Sequence, residues 1–137
     1  MLAFSTDTVG ADLECIDQRR TNPDELLEVV AHPLEIDSWH RDATDDHWAR
    51  FCQLWVRKEV YAKALGFGLS RSLASYRMEA CGRCGFRVVD EEHLVGGPMY
   101  VHDLPAWKGF AAAICTPFTD PLISSRVLAP DELDQWR

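Results

Sequence analysis

Trp48-Ala-Arg-Phe-Cys-Gln-Leu-Trp-Val-Arg-Lys-Glu-Val-Tyr-Ala-Lys-Ala-Leu-Gly66 is the longest segment of the chain with an unbroken helical period. Trp48, Phe51, Trp55, Ala62 and Leu65 recur at three- and four-residue steps, so one face of the predicted helix is apolar and meets a core. Glu59 falls on that face, four residues after Trp55 and three before Ala62. A carboxylate there pairs with a partner, reaches solvent or binds a cation, because burying it alone is costly. The local partner is Lys63 at i,i+4, a contact worth a few tenths of a kcal/mol on an exposed face.

A second acidic element stands upstream. Val9-Gly-Ala-Asp-Leu-Glu14 reads as a strand, in which Asp12 and Glu14 are two apart and point to one side. That side is either a solvated edge or, with a third carboxylate, a site for a hard divalent cation such as Mg²⁺. Gly10 allows a turn or a close approach by another group. Leu2 to Ser5 is a short candidate strand before it. Arg19 and Arg20 form a small basic pair in the connector that follows. Asn22-Pro-Asp-Glu25 is a helix start, with Asn as N-cap, Pro in the first position and Glu in the third. The helix runs through Leu26, Leu27, Val29 and Val30 until Pro33 breaks it. Leu34 to Trp39 forms another helical turn, and Asp42 to Asp46 offers caps for the long helix.

Downstream, Gly66-Phe-Gly-Leu-Ser stops the helix. The period then shortens to that of strands, at Ser75 to Glu79, Phe86 to Val89, Met99 to Val101 and Phe110 to Thr116. A last turn is expected at Pro130 to Trp136. Helices grouped against several antiparallel strands make an α+β domain, a long amphipathic helix packed on a small antiparallel sheet.

The 137 residues form a single expected domain spanning 1–137 and are enough to bury about two-thirds of the unfolded surface. A formal net charge of -8 argues against nucleic acid as a partner. No apolar run is long enough to span a membrane. Five cysteines and an N-terminus without signal-peptide features point to a reducing compartment, so the cytoplasm is the expected location. Cys81-Gly-Arg-Cys84-Gly has the spacing of half a zinc site. No second pair completes it, and Cys52, Cys115, His93 and His102 are scattered candidates.

Val9-Gly-Ala-Asp-Leu-Glu14 followed by Trp55-Val-Arg-Lys-Glu59-Val-Tyr-Ala-Lys63 and Gly66-Phe-Gly-Leu resembles the 4'-phosphopantetheinyl transferase superfamily, in particular the C-terminal lobe of its larger two-lobe class. The resemblance continues through Leu73-Ala-Ser-Tyr76 and the late Leu104-Pro to Gly109-Phe-Ala-Ala-Ala. It implies the single-lobe phosphopantetheinyl transferase fold. The activity implied is Mg²⁺-dependent transfer of 4'-phosphopantetheine from coenzyme A to a serine of an apo acyl- or peptidyl-carrier protein. By the same carry-over Asp12, Glu14 and Glu59 coordinate the metal, and Glu59 also accepts the serine proton. Lys63 stabilises the departing 3',5'-ADP, and Lys58 lies near the coenzyme phosphates. Larger members carry another lobe upstream, for which this sequence has no room. A homo-oligomer, as in the small bacterial class, or a partner chain supplying the missing lobe is therefore expected. The alternative is a non-catalytic or partner-dependent lobe that acts through protein–protein binding. Arg50, Arg57 and Lys58, on or near one side of the long helix, are candidates for carrier docking.

Overall fold

The computed structural model describes residues 1, 3–16, 22–41, 46–82, 85–93 and 96–127. Its axis is helix α3, His47–Ala64. Asp46 caps the first turn by accepting the Ala49 N–H at 2.9 Å, with its charge on the positive end of the helix dipole. At the other end Gly66 takes a φ of 71°. Gly66 N–H donates to Lys63 O at 3.2 Å and Phe67 N–H to Ala62 O at 3.0 Å. This paired closure satisfies two of the last carbonyls and requires a residue that tolerates the left-handed region.

Before α3 come strand β1 (Gly10–Cys15) and helices α1 (Pro23–Val30) and α2 (Pro33–Arg41). Asn22 accepts the Asp24 N–H at 3.1 Å and Pro23 opens α1, as the sequence predicts. After α3 come two short 3-10 turns, Gly68–Ser70 and Leu73–Ser75. Strands β2 (Arg77–Ala80), β3 (Phe86–Val89), β4 (Tyr100–Asp103) and β5 (Phe110–Thr116) follow. The strands form one antiparallel sheet in the order β1-β5-β4-β3-β2, so the first strand returns to pair with the last.

The sheet covers one side of α3, chiefly through β1 and β5, and α1 packs on another. Val56, Val60, Val101, Ala113 and Cys115 are fully buried between them, with Leu27 and Val30 from α1 closing the core. Burial holds the Cys115 thiol up at about 12. In the β1–β5 register Gly10, Asp12 and Glu14 stand opposite Cys115, Ala113 and Ala111. These partners are small and buried, which lets the helix settle close to the sheet.

The α+β reading holds: a long amphipathic helix lies on a small antiparallel sheet in the single-lobe architecture. Two details differ. Residues 3–5 carry no strand, Leu2 being outside the described residues. β2 begins at Arg77 because Leu73–Ser75 is taken up by a 3-10 turn. The turn expected at Pro130 to Trp136, the Arg19–Arg20 pair and the caps at 42–45 also lie outside the described residues.

Candidate active site

The two acidic elements meet where β1 runs along α3. Side chains two apart on a strand share a face, so Gly10, Asp12 and Glu14 all look towards the helix. Gly10 sets the approach. A Cβ built there would lie 1.9 Å from the carbonyl oxygen of Val60 and 2.6 Å from the backbone nitrogen of Ala64. With the strand that close, Asp12 reaches Lys63, whose ammonium donates to Asp12 Oδ1 at 2.6 Å. Lys63 is the more open partner, its side chain 46% exposed against 13% for Asp12.

Glu59 is half-buried one helical turn before Lys63. Burial raises its carboxyl above the ordinary carboxylate value. The Lys63 ammonium pulls it down, and the negative charges of Asp12 and Glu14 push it up again. Residues far apart in sequence thus sense one another through space. Glu14 and Asp46 also help burial raise the Cys52 thiol to about 11, which makes Cys52 an inert core group. Phe51 is buried and Trp55 half-buried beside Glu59, their rings 6.3 Å apart.

The carboxylates do not close on a single point. Among the described residues no three His, Cys, Asp or Glu side chains gather into a metal-holding group. Cys81 is described but Cys84 is not, so the Cys81–Cys84 zinc motif lies partly outside the described residues.

Lys58, expected near the coenzyme phosphates, is engaged inside the fold. Its side chain is fully buried, with its ammonium 2.6 Å from Glu35 Oε2. It also donates to the carbonyl of Tyr76 and sits 4.9 Å from the centre of the Tyr76 ring. Burial lowers its pKa, against the raising influence of Glu35. Arg50 and Arg57 are engaged internally too. Arg50 donates to Trp39 O at 3.0 Å and lies over the Trp39 ring. Arg57 holds Asp103 at 2.5 Å and covers the Phe86 ring. The three therefore do not make a free basic flank on α3.

Two enclosed acidic groups, Glu35 half-buried and Asp90 buried, escaped the sequence reading. Glu35 accepts from the backbone N–H groups of His32 at 2.8 Å and Met78 at 2.7 Å, besides holding Lys58. Asp90 receives both Arg71 nitrogens, at 2.5 and 2.6 Å, and the Tyr61 hydroxyl at 2.8 Å. Burial pushes the Asp90 carboxyl up, but these hydrogen bonds outweigh it and the net shift is downward. A signal for Lys58 was present: it stands seven residues after Phe51 and four before Ala62, within the buried stripe. Nothing comparable marked Glu35 or Asp90 among the chain's 22 acidic residues.

A cavity of about 370 Å³ opens beside β3, lined by Tyr61, Arg87, Asp90, His93, Pro98 and Met99 among others. Neither the β1 carboxylates nor Glu59 and Lys63 line it. Tyr61 is two residues beyond Glu59, hence on the opposite side of the helix.

A sequence model of the 4'-phosphopantetheinyl transferase superfamily matches residues 8–115. The chain belongs to this superfamily. Both acidic elements, the whole of α3 and nearly all of the sheet fall within the match. Among solved structures, the chain is similar to a holo-(acyl-carrier-protein) synthase from Bacillus anthracis in complex with CoA (3',5'-ADP). The two share 18% identity with a TM-score of 0.63, over 79% of this chain and 92% of that one. A holo-[acyl-carrier-protein] synthase from Thermotoga maritima matches at 19% identity and a TM-score of 0.59, over 79% of this chain and 61% of that one. A holo-ACP-synthase from Plasmodium yoelii matches at 14% and 0.57, over 79% and 91%. At these identities the likeness is one of fold. No curated protein sequence matches the chain.

Proposed function

We propose that the chain transfers 4'-phosphopantetheine from coenzyme A to a serine of an apo acyl- or peptidyl-carrier protein, in the cytoplasm and with Mg²⁺. The observation that carries this reading is the Asp12–Lys63 ion pair at the β1–α3 crossing, with Glu59 one helical turn before Lys63 and within reach of their charges, in a chain of this superfamily. By their chemistry, though not by their present spacing, Asp12, Glu14 and Glu59 suit a hard cation, being oxygen donors whose like charges repel one another. When bound there, Mg²⁺ would polarise the pyrophosphate of coenzyme A and offset its charge.

The transfer itself is a phosphoryl substitution. The serine oxygen forms a bond to the phosphorus that carries the pantetheine arm, and the bond from that phosphorus to 3',5'-ADP breaks. The serine proton goes to Glu59, directly or through a water. A carboxyl raised by burial is the stronger base, which suits that task. Lys63 is half exposed, so its ammonium can turn from Asp12 to the oxygen of the departing 3',5'-ADP. Phe51 and Trp55 hold the helix face from which Glu59 projects.

The test is direct. Purified chain, Mg²⁺, coenzyme A and a set of apo carriers are incubated, and carrier mass is followed. Addition of one phosphopantetheine group to a carrier serine is expected, and Glu59→Gln abolishes it with the fold retained. A folded chain that modifies no carrier overturns the reading. That result would favour a lobe working only with a polypeptide partner. Trp107 and Phe110 bear on this second reading: their rings lie 6.4 Å apart and both are exposed, at the end of β5 next to Cys15. Sedimentation with and without coenzyme A separates the two readings.

A further inference from the structure

Lys58 and Glu59 are neighbours on α3 with different surroundings. Glu59 looks towards β1 and its carboxylates, while Lys58 is enclosed on the side of α2 and β2. The backbone between them is held from two directions. The Lys58 ammonium is fixed by Glu35 and by the Tyr76 carbonyl. In return the Tyr76 hydroxyl donates to the Lys58 carbonyl at 2.8 Å. That carbonyl belongs to the peptide unit leading into Glu59. Tyr76 is anchored in turn by its edge contact with the Tyr61 ring, 4.7 Å between centroids, and Tyr61 by its bond to Asp90.

Glu35 is where this chain of contacts meets the rest of the fold. One of its oxygens binds Lys58 and the His32 N–H that opens α2; the other binds the Met78 N–H of β2. Three elements, α2, α3 and β2, therefore share one carboxylate. We propose that Glu35 is a positioning residue for Glu59, acting through Lys58 and Tyr76. The proposal rests on the transferase reading above for its kinetic consequence, and on geometry alone for its structural one. A general base must stand within hydrogen-bond reach of the proton it takes. A displacement of about 1 Å from a change remote from the chemistry is enough to cost about a hundredfold in rate.

Glu35→Gln alone leaves a buried cation unpaired and destabilises the fold, so the informative variant is Glu35→Gln with Lys58→Met. Removing both charges of a buried pair is often tolerated, and the glutamine oxygen still serves the Met78 N–H. The double variant is expected to melt near the wild type and to lose about tenfold to a hundredfold in kcat, with the KM for coenzyme A unchanged. Its crystal structure is expected to show the Glu59 carboxylate displaced relative to Asp12 and Lys63. Tyr76→Phe removes only the hydroxyl on the Lys58 carbonyl. It is expected to lower kcat severalfold, again at constant KM, should the double variant fold poorly. Wild-type kcat with an unmoved Glu59 overturns the proposal. So does a Lys58→Met variant whose KM for coenzyme A rises at constant kcat, since that is the mark of a phosphate contact. If the wild-type chain transfers to no carrier, the transferase reading fails, and the position of Glu59 in the variant structures still decides this one.

Discussion

Gly10 lies against the backbone of Val60 so closely that an added Cβ would stand 1.9 Å from the Val60 carbonyl oxygen. No side-chain rearrangement relieves a clash with main chain, so strand or helix must move. Gly10→Ala is expected to destabilise the protein by about 1–3 kcal/mol, the usual cost of overpacking. Because Asp12 and Lys63 meet only through this crossing, the variant should also lose transfer activity out of proportion to its stability. Denaturant melts and carrier-mass assays on the same preparation check both halves.

Lys63 and Asp12 form a partly solvated pair, so their worth lies in chemistry more than stability. Lys63→Ala should leave the melting temperature almost unchanged, at about 0.2–1 kcal/mol. Transfer should slow by roughly 10²–10³-fold, the scale for removing one group that stabilises developing charge. Steady-state kinetics with coenzyme A varied would show it. A variant within twofold of wild type would remove Lys63 from the proposed reaction.

Glu59 carries a carboxyl raised above its ordinary value, chiefly by burial. A raised acid binds its proton more tightly folded than unfolded. Its contribution to stability is thus full below the unfolded pKa and lost as pH rises through the folded one. Ionised Glu59 is therefore a liability at neutral pH. Glu59→Gln should be modestly more stable than the wild type there, the gain being limited by the side chain's partial solvation, and the two should converge in acid. Parallel thermal melts from pH 3 to pH 8 test this, and a less stable glutamine variant at pH 7 would contradict it.

Asp90 behaves in the opposite sense. Its net shift is downward, because the bonds from Arg71 and Tyr61 outweigh burial. The stability it contributes is present above its unfolded pKa of about 3.9 and is lost as pH falls through the folded value. Asp90→Asn should cost about 1–3 kcal/mol at neutral pH, since Arg71 loses its buried partner but keeps Glu92 at 3.1 Å. It should also flatten the acid limb of the stability curve. Urea melts across the acid range would reveal both effects.

Much of this architecture was readable because it rests on local patterns. The Asn22-Pro23 start of α1, the Gly66 stop of α3 and the strands at Phe86–Val89 and Phe110–Thr116 all announce themselves within a few residues. The placement of Glu59 near an acidic strand was legible only through the paired motifs, since nothing in the helix says which strand will lie beside it. Lys58 carries two signals at once. Its place beside Glu59 invited a ligand role, whereas its phase on the helix, in line with Phe51 and Ala62, favoured the interior. Glu35 and Asp90 were invisible for a different reason. What distinguishes them from other acidic residues is a partner brought in by the tertiary fold: Lys58 for Glu35, and Tyr61 and Arg71 for Asp90.

The sheet order has a consequence for synthesis. Among the described residues β1 has β5 as its sole strand neighbour, pairing Gly10 with Cys115 and Cys15 with Phe110. At roughly 5–20 residues per second on the ribosome, the segment bearing Asp12 and Glu14 emerges seconds before the segment that completes its ladder. Closing so long a loop is also the slow kind of folding event. A nascent chain halted ahead of Phe110 would possess both sequence motifs and the entire long helix, yet its first strand would have nothing to zip onto. The crossing that brings Asp12 to Lys63 therefore forms late and all at once, when the strand that completes the β1 ladder has left the ribosome.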